Sequence, residues 1–295
     1  MQRWRRLSQG AFFTLFLSAP LFDLFRYDLT RGHFYLLGGE WRLGIETVLV
    51  GTLSPTEIAL QVLFRGLLPL LFLVSLFIFI SWRYGRLYCG WLCPHFAVVE
   101  GINRSMLKAF AKPTLWENRD LSLGRGDRRW WLVPPLLAIL VSFIWAVVLL
   151  TYLLPPAEIY ANLYHASLTA NQLRFISVAT LLLSLEFLFA RHLFCRFGCA
   201  VGMFQSLAWM ANRRAMVIIF RSSRSSICQH CSNGCDKSCP MRLKPRSQKR
   251  RMFTCTQCGV CIARCGQTQQ QLGSGEITLL PWRSGTVAAD GSREP

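Results

Sequence analysis

The chain has 295 residues, 52% of them hydrophobic, and a mean hydropathy of +0.31, which excludes an ordinary soluble domain. A formal net charge of +18 would suit a nucleic-acid partner, but the distribution of that charge matters more than its size. Thirteen per cent aromatic residues and ten Trp fit a protein with two membrane interfaces.

Four apolar segments approach the roughly 20 residues a helix needs to cross a bilayer. The first runs from about Leu7 to Phe25, behind Arg3, Arg5 and Arg6. Ser18-Ala19-Pro20 is followed by more apolar residues and no clean cleavage pattern, so this segment reads as a retained anchor rather than a signal peptide. The second runs from about Ile58 to Trp82, the third from Trp130 to Leu154 and the fourth from Leu173 to Ala190. Pro20, Pro69 and Pro134-Pro135 are expected to kink helices or mark their ends.

Charge assigns the sides. Lys and Arg number 3, 9 and 16 in residues 1–6, 83–129 and 191–295, together 28 of the 33. The loops 26–57 and 155–172 hold only Arg26, Arg31 and Arg42. The positive-inside rule therefore puts both termini and the 83–129 loop in the cytoplasm. The net charge becomes a topology signal, and no nucleic-acid partner is expected. In the outer loop, His33, Phe34, Tyr35 and Trp41 precede the run Ile45 to Val50, which is too short to span and is expected at the outer interface. Arg65 and Glu186 lie inside predicted spans, where ionisable groups are costly and often functional. Arg65 is close enough to the outer end to snorkel. Glu186, two turns before Cys195, is either a proton acceptor or paired with a neighbour.

Two cysteine pairs stand just past the second and fourth spans. Arg86-Leu-Tyr-Cys89-Gly-Trp-Leu-Cys93-Pro94 and Arg191-His-Leu-Phe-Cys195-Arg-Phe-Gly-Cys199 share a basic residue, an apolar-aromatic lead and C-x3-C, and the cysteines are offset by 106 residues in both cases. Each pair is followed by an apolar stretch ending in Asn-Arg, at Asn103-Arg104 and Asn212-Arg213. This is a duplicated two-helix unit. Facing halves would bring four thiols together for a metal or cluster, a redox-active dithiol or a quinone contact; the alternative is that they are buried small hydrophobes. His95 and His192 flank the pairs, and a lone interfacial His is more often packing than ligand.

The other eight of the twelve cysteines form two quartets: Cys228, Cys231, Cys235 and Cys239, then Cys255, Cys258, Cys261 and Cys265. The second has the C-x2-C-x2-C-x3-C run that wraps a [4Fe–4S] cluster, and the first has one extra residue, which a left-handed Gly234 would absorb. In two-cluster ferredoxins the fourth sulfur comes from the other quartet. One cluster is then expected at Cys228, Cys231, Cys235 and Cys265, and the other at Cys255, Cys258, Cys261 and Cys239. Zinc sites usually take two knuckles separated by a longer gap, and disulfides need an oxidising compartment, so clusters are favoured over both. His230 would tune its cluster from outside. Arg242, Lys244, Arg246, Lys249, Arg250 and Arg251 form a basic connector suited to an acidic partner, lipid headgroups or plain solvent. No nucleotide loop, nucleophile elbow or haem motif appears, which favours an electron carrier over an enzyme with its own chemistry.

Four spans, C-x3-C pairs after spans two and four, and a C-terminal double quartet resemble the NapH family of membrane-bound ferredoxin-type proteins, with NosR, CcoG and MauN as relatives. The resemblance covers roughly residues 5–266. It implies a bacterial inner-membrane protein that takes electrons from the quinol pool, as a component of a quinol dehydrogenase, and passes them to a periplasmic or second ferredoxin-type redox protein. The CcoG likeness implies an alternative, reduction of a metal or thiol during maturation of another enzyme; a redox sensor is a third. The long first quartet and Ala200, where the first repeat has Pro94, depart from the nitrate-reductase member. The expected architecture is an all-α membrane protein: a four-helix membrane domain over 1–220, a cytoplasmic two-cluster ferredoxin-like module over 221–266 and a disordered tail over 267–295.

Overall fold

The computed structural model describes residues 1–41, 54–112, 126–220, 228, 231, 233–246, 252–273 and 282–284. Helices dominate, and three of them are long and apolar enough to cross a membrane: Ala59–Tyr84, Arg128–Thr151 and Ala170–Ala190.

The first helix, α1 (Gln2–Ser18), is shorter than the predicted segment Leu7 to Phe25. Pro20 has no amide hydrogen to give the Phe16 carbonyl, which instead accepts the Tyr152 hydroxyl at 2.8 Å. The chain then turns into β1 (Phe25–Asp28), β2 (His33–Leu36) and β3 (Gly39–Trp41), an antiparallel sheet in order β1-β2-β3. An all-α expectation missed this sheet. Its Arg26 is buried between Asp23 and Asp28 with its guanidinium 4.1 Å over the Tyr35 ring. The run Ile45 to Val50 lies outside the described residues.

The second span is built from α2 (Pro55–Val62), a π-helical turn (Leu63–Leu67) and α3 (Leu68–Tyr84). The turn widens immediately before Pro69, whose ring displaces the preceding carbonyls. None of the most apolar stretch of this span is buried, and Leu70, Phe72, Leu73 and Phe79 point outward, as side chains do that are solvated by lipid rather than by a protein core. Arg65 is exposed on the π turn.

Past α4 (Leu87–Trp91), helix α5 (Pro94–Phe110) packs on α6 (Val133–Thr151). Val99, Ile102 and Met106 of α5 form one core with Ala138, Trp145 and Phe187. Pro134 and Pro135 sit in the first turn of α6, where a missing amide hydrogen costs nothing. The short α7 (Pro156–Tyr164) returns the chain to α8 (Ala170–Leu185), which ends in a π-helical turn, Glu186–Ala190. A second π turn, Phe194–Gly198, leads to α9 (Ala200–Ala211) and β4 (Met216–Ile218). The cysteine-rich module adds α10 (Gly234–Lys237), α11 (Val260–Gln271) and β5 (Trp282–Ser284), and β5 pairs antiparallel with β4. Two parts of the expected tail are therefore ordered: α11 runs through Gln271, and residues 282–284 complete a strand pair.

The module docks on the first cysteine pair. A Cβ at Gly90 would stand 2.1 Å from the Thr256 carbonyl oxygen, so only glycine allows this approach. Trp91 Nε1 donates to the Gln257 carbonyl at 3.0 Å, and Gln2 Nε2 to that of Cys258 at 3.0 Å. From that end α1 runs to the sheet, where the Tyr152 carbonyl accepts from Tyr27 N at 3.0 Å. Helix α1 thus packs along α5 and meets the later part of α6 at Trp145 and Tyr152.

Gly90→Ala should lower stability by about 1–3 kcal/mol, because the added methyl meets backbone and not a movable side chain. Gly101→Ala, in a helix with nothing within 4 Å of the new methyl, should be neutral or stabilising by up to about 1 kcal/mol. Thermal unfolding of both variants in detergent distinguishes them; equal melting of Gly90→Ala and the unaltered protein would contradict the docking.

Candidate functional site

Cys239, Cys255, Cys258 and Cys261 line a single recess, whose walls include Met241 and Met252. Cys235 and Cys265 share an apolar cluster with Ile218, and Cys228 packs against it. Cys231 is near enough to Cys228 and Cys235 for its charge to raise both thiols. The local geometry repeats between the quartets. Each third cysteine is the second residue of a helix, Cys235 of α10 and Cys261 of α11, and each helix is entered through a left-handed residue. In the second quartet that residue is Gly259 (φ 66°). In the first it is Asn233 (φ 57°) and not Gly234, which already belongs to the helix. Asn tolerates this conformation, and its side chain is held by Arg246 Nη2 at 2.9 Å, which also reaches Asp236 at 3.0 Å.

Burial is the main influence on these thiols. It pushes Cys239 up to about 11 and Cys235 and Cys255 to about 12, and Cys261 further, with neighbouring cysteines adding to the rise. Such thiols ionise at neutral pH only when a cation takes the sulfur. Among the described residues, no three Cys, His, Asp or Glu side chains converge closely enough to hold one metal ion. Backbone and amide hydrogens already point at two of the sulfurs: Leu243 N to Cys239 Sγ and Gln269 Nε2 to Cys265 Sγ, each at 3.4 Å. Donors of this kind set cluster potentials.

The membrane-side pairs adjoin that recess. Cys195 and Phe96 form a buried cluster with Met241, Leu243 and Met252, against which Cys93, Cys239 and Cys255 pack. Cys93 caps α5 and Cys199 caps α9, with Gly202 N donating to Cys199 Sγ at 3.4 Å. Burial raises the Cys93 thiol to about 11 and Cys195 beyond that.

Two of the flanking groups come together. His95 Nε2 lies 2.8 Å from Glu186 Oε2, and His95 Nδ1 lies 3.4 Å from Cys195 Sγ. The rings of Trp145, Phe187 and Phe194 surround His95. Glu186 stands at the start of a π-helical turn, and its Oε1 is buried without a hydrogen bond. Sequence reasoning singled out both residues but not their pairing across 91 positions. His192 differs. Both ring nitrogens are buried without partners, the ring packs on Phe96, and burial pushes it down to about 3, so it is neutral filling. Arg86, noted in the sequence only as part of the repeat, is buried at 1% exposure; Nη2 donates to the Cys195 carbonyl at 2.6 Å, while Nε and Nη1 find no hydrogen-bond partner. Of the connector, Lys249 to Arg251 lie outside the described residues, as does His230.

A family model described as a 4Fe-4S binding domain matches residues 66–113 and 172–217. This match supports reading the chain as a ferredoxin-type iron–sulfur protein. Both matched segments fall on the repeated halves that carry the C-x3-C pairs. An uncharacterised protein of Methanocaldococcus jannaschii is 26% identical over 187 residues, covering 61% of this chain and 69% of the relative. No solved structure matches.

His192→Phe should keep the full iron content and leave stability unchanged or higher, since it removes two buried polar atoms without partners. His95→Phe strands the Glu186 carboxylate and should cost about 1–3 kcal/mol. Iron analysis and thermal unfolding check both; loss of iron from His192→Phe would make His192 a ligand after all.

Proposed function

We propose that the chain is an integral electron-transfer protein of a bacterial inner membrane that takes electrons from quinol and delivers them to a periplasmic redox system. The observation that carries this reading is the seating of the Cys239, Cys255, Cys258 and Cys261 recess against the ends of the membrane helices. A [4Fe–4S] cluster at those four cysteines, and another at Cys228, Cys231, Cys235 and Cys265, would supply one-electron redox chemistry.

Four spans with both termini in the cytoplasm are supported by α1. At 17 residues it falls short by composition and length, yet it runs from the module along α5 to the sheet. Helices near that length cross bilayers by local thinning. The 83–129 loop and the module then share the side on which Arg and Lys concentrate. Quinol releases two protons with its two electrons. Glu186 is the residue placed to accept one, with Oε2 steadied by His95 and Oε1 available.

Protein purified without oxygen and returned to liposomes should lose its visible iron–sulfur absorption when a quinol-generating system is added. Cys258→Ser should lower iron and acid-labile sulfide by about four each per chain while sparing the other quartet. Reporter fusions after residues 40, 110, 163 and 250 should read periplasm, cytoplasm, periplasm, cytoplasm. Clusters that stay oxidised with quinol present would remove the donor, and a periplasmic residue 250 would overturn the topology.

A further inference from the structure

Each segment matched by the 4Fe-4S family model contains only two cysteines, Cys89 and Cys93 in one and Cys195 and Cys199 in the other. Neither can complete a four-thiolate cluster alone. The fold joins them crosswise. Cys89 Sγ of the first half donates to Gln205 Oε1 of the second at 3.0 Å. Cys195 Sγ of the second half lies 3.4 Å from His95 Nδ1 of the first. Cys93 and Cys195 pack in one buried cluster. The second cysteine of each pair caps the helix that follows, α5 or α9, where backbone amides favour a thiolate.

A buried cation accompanies the four sulfurs. The Arg86 guanidinium sits beside the Cys89 thiol, its charge also reaches Cys255 of the second quartet, and it rests on Gly202, where a Cβ would come within 2.0 Å of Nη2. It is 1% exposed, and Nε and Nη1 have no hydrogen-bond partner. A buried charge without a counter-charge is strongly destabilising, so the site is built for an anionic group. Four thiolates around iron and sulfide carry net negative charge, and neutral thiols do not.

We propose that Cys89, Cys93, Cys195 and Cys199 jointly hold a third iron–sulfur cluster, shared between the two repeated halves and neutralised by Arg86. This assignment rests on the iron–sulfur character of the chain and is independent of the electron donor and the pathway. Cys93 and Cys195 also pack in the same apolar cluster as Cys239 and Cys255, so the shared site adjoins the recess of the second quartet.

Iron and acid-labile sulfide counts with ⁵⁷Fe Mössbauer spectra on the anaerobically purified full chain test the proposal. The unaltered protein should hold about twelve iron rather than about eight. Cys89→Ser and Cys195→Ser, one from each half, should each remove about four iron and four sulfide, and the double variant should remove no more than either alone. Arg86→Gln should shift the midpoint potential of this third signal downward, and by more than that of the second-quartet cluster, whose Cys255 the same charge also reaches. About eight iron in the unaltered protein overturns the shared site, whether or not the variants fold. Full iron retention in both single variants does the same. Iron absent altogether would contradict the iron–sulfur reading itself, which keeps the two failures distinct.

Discussion

The carbonyl of Gly90 is where three parts of the chain are tied together. Arg5 Nη1 and Gln9 Nε2 of α1 both donate to it, at 3.3 and 3.1 Å, and the Arg5 guanidinium is held from behind by Glu100 of α5 at 2.9 Å. Ser8 Oγ donates to the neighbouring Trp91 carbonyl at 2.9 Å. The other side of the same turn is pressed against Thr256 and Gln257 of the cysteine-rich module. Arg5 is buried at 4% exposure, and its charge is paired with Glu100. Removing either partner would leave a buried charge alone and loosen the N-terminal helix, the first cysteine pair and the module together.

That tie explains why the cysteine-rich module is fixed to the long apolar helices rather than tethered. A second contact comes from the other half, where Trp209 and Gln257 both donate to the Met216 carbonyl, at 3.0 and 3.2 Å. The module is thus gripped by both repeats, and two of the cysteines that line its recess, Cys239 and Cys255, share an apolar cluster with Cys93 and Cys195. Electron transfer between redox sites needs short fixed separations more than motion, and a close-packed interface supplies them.

Much of this was legible in the sequence because it is written in composition and spacing. The three long apolar segments fall within a few residues of Ala59–Tyr84, Arg128–Thr151 and Ala170–Ala190, since lipid imposes one simple demand on length and polarity. The segment after Arg6 was overextended because hydropathy does not register that Pro20 ends a helix whose apolar successors, Leu21 to Phe25, enter turns and a strand. The left-handed residue of the first quartet was placed at Gly234, the conformationally freer choice; a side-chain bond from Arg246, invisible in local sequence, holds Asn233 there instead. Contacts such as Arg5 with Glu100 and His95 with Glu186 join residues 95 and 91 positions apart. No periodicity encodes them. Arg86 could have been found, because a basic residue precedes both C-x3-C pairs, and Arg86 and Arg191 are each buried at 1% exposure.

We propose above all that these buried cysteines hold iron and sulfide as cubane clusters beside the long apolar helices. The Mössbauer spectrum of ⁵⁷Fe-grown, anaerobically purified protein, with total zinc measured on the same sample, tests it most directly. The account predicts that essentially all iron gives the quadrupole doublet of diamagnetic [4Fe–4S] clusters, with zinc well below one per chain. A colourless protein with stoichiometric zinc and no cluster doublet would contradict it.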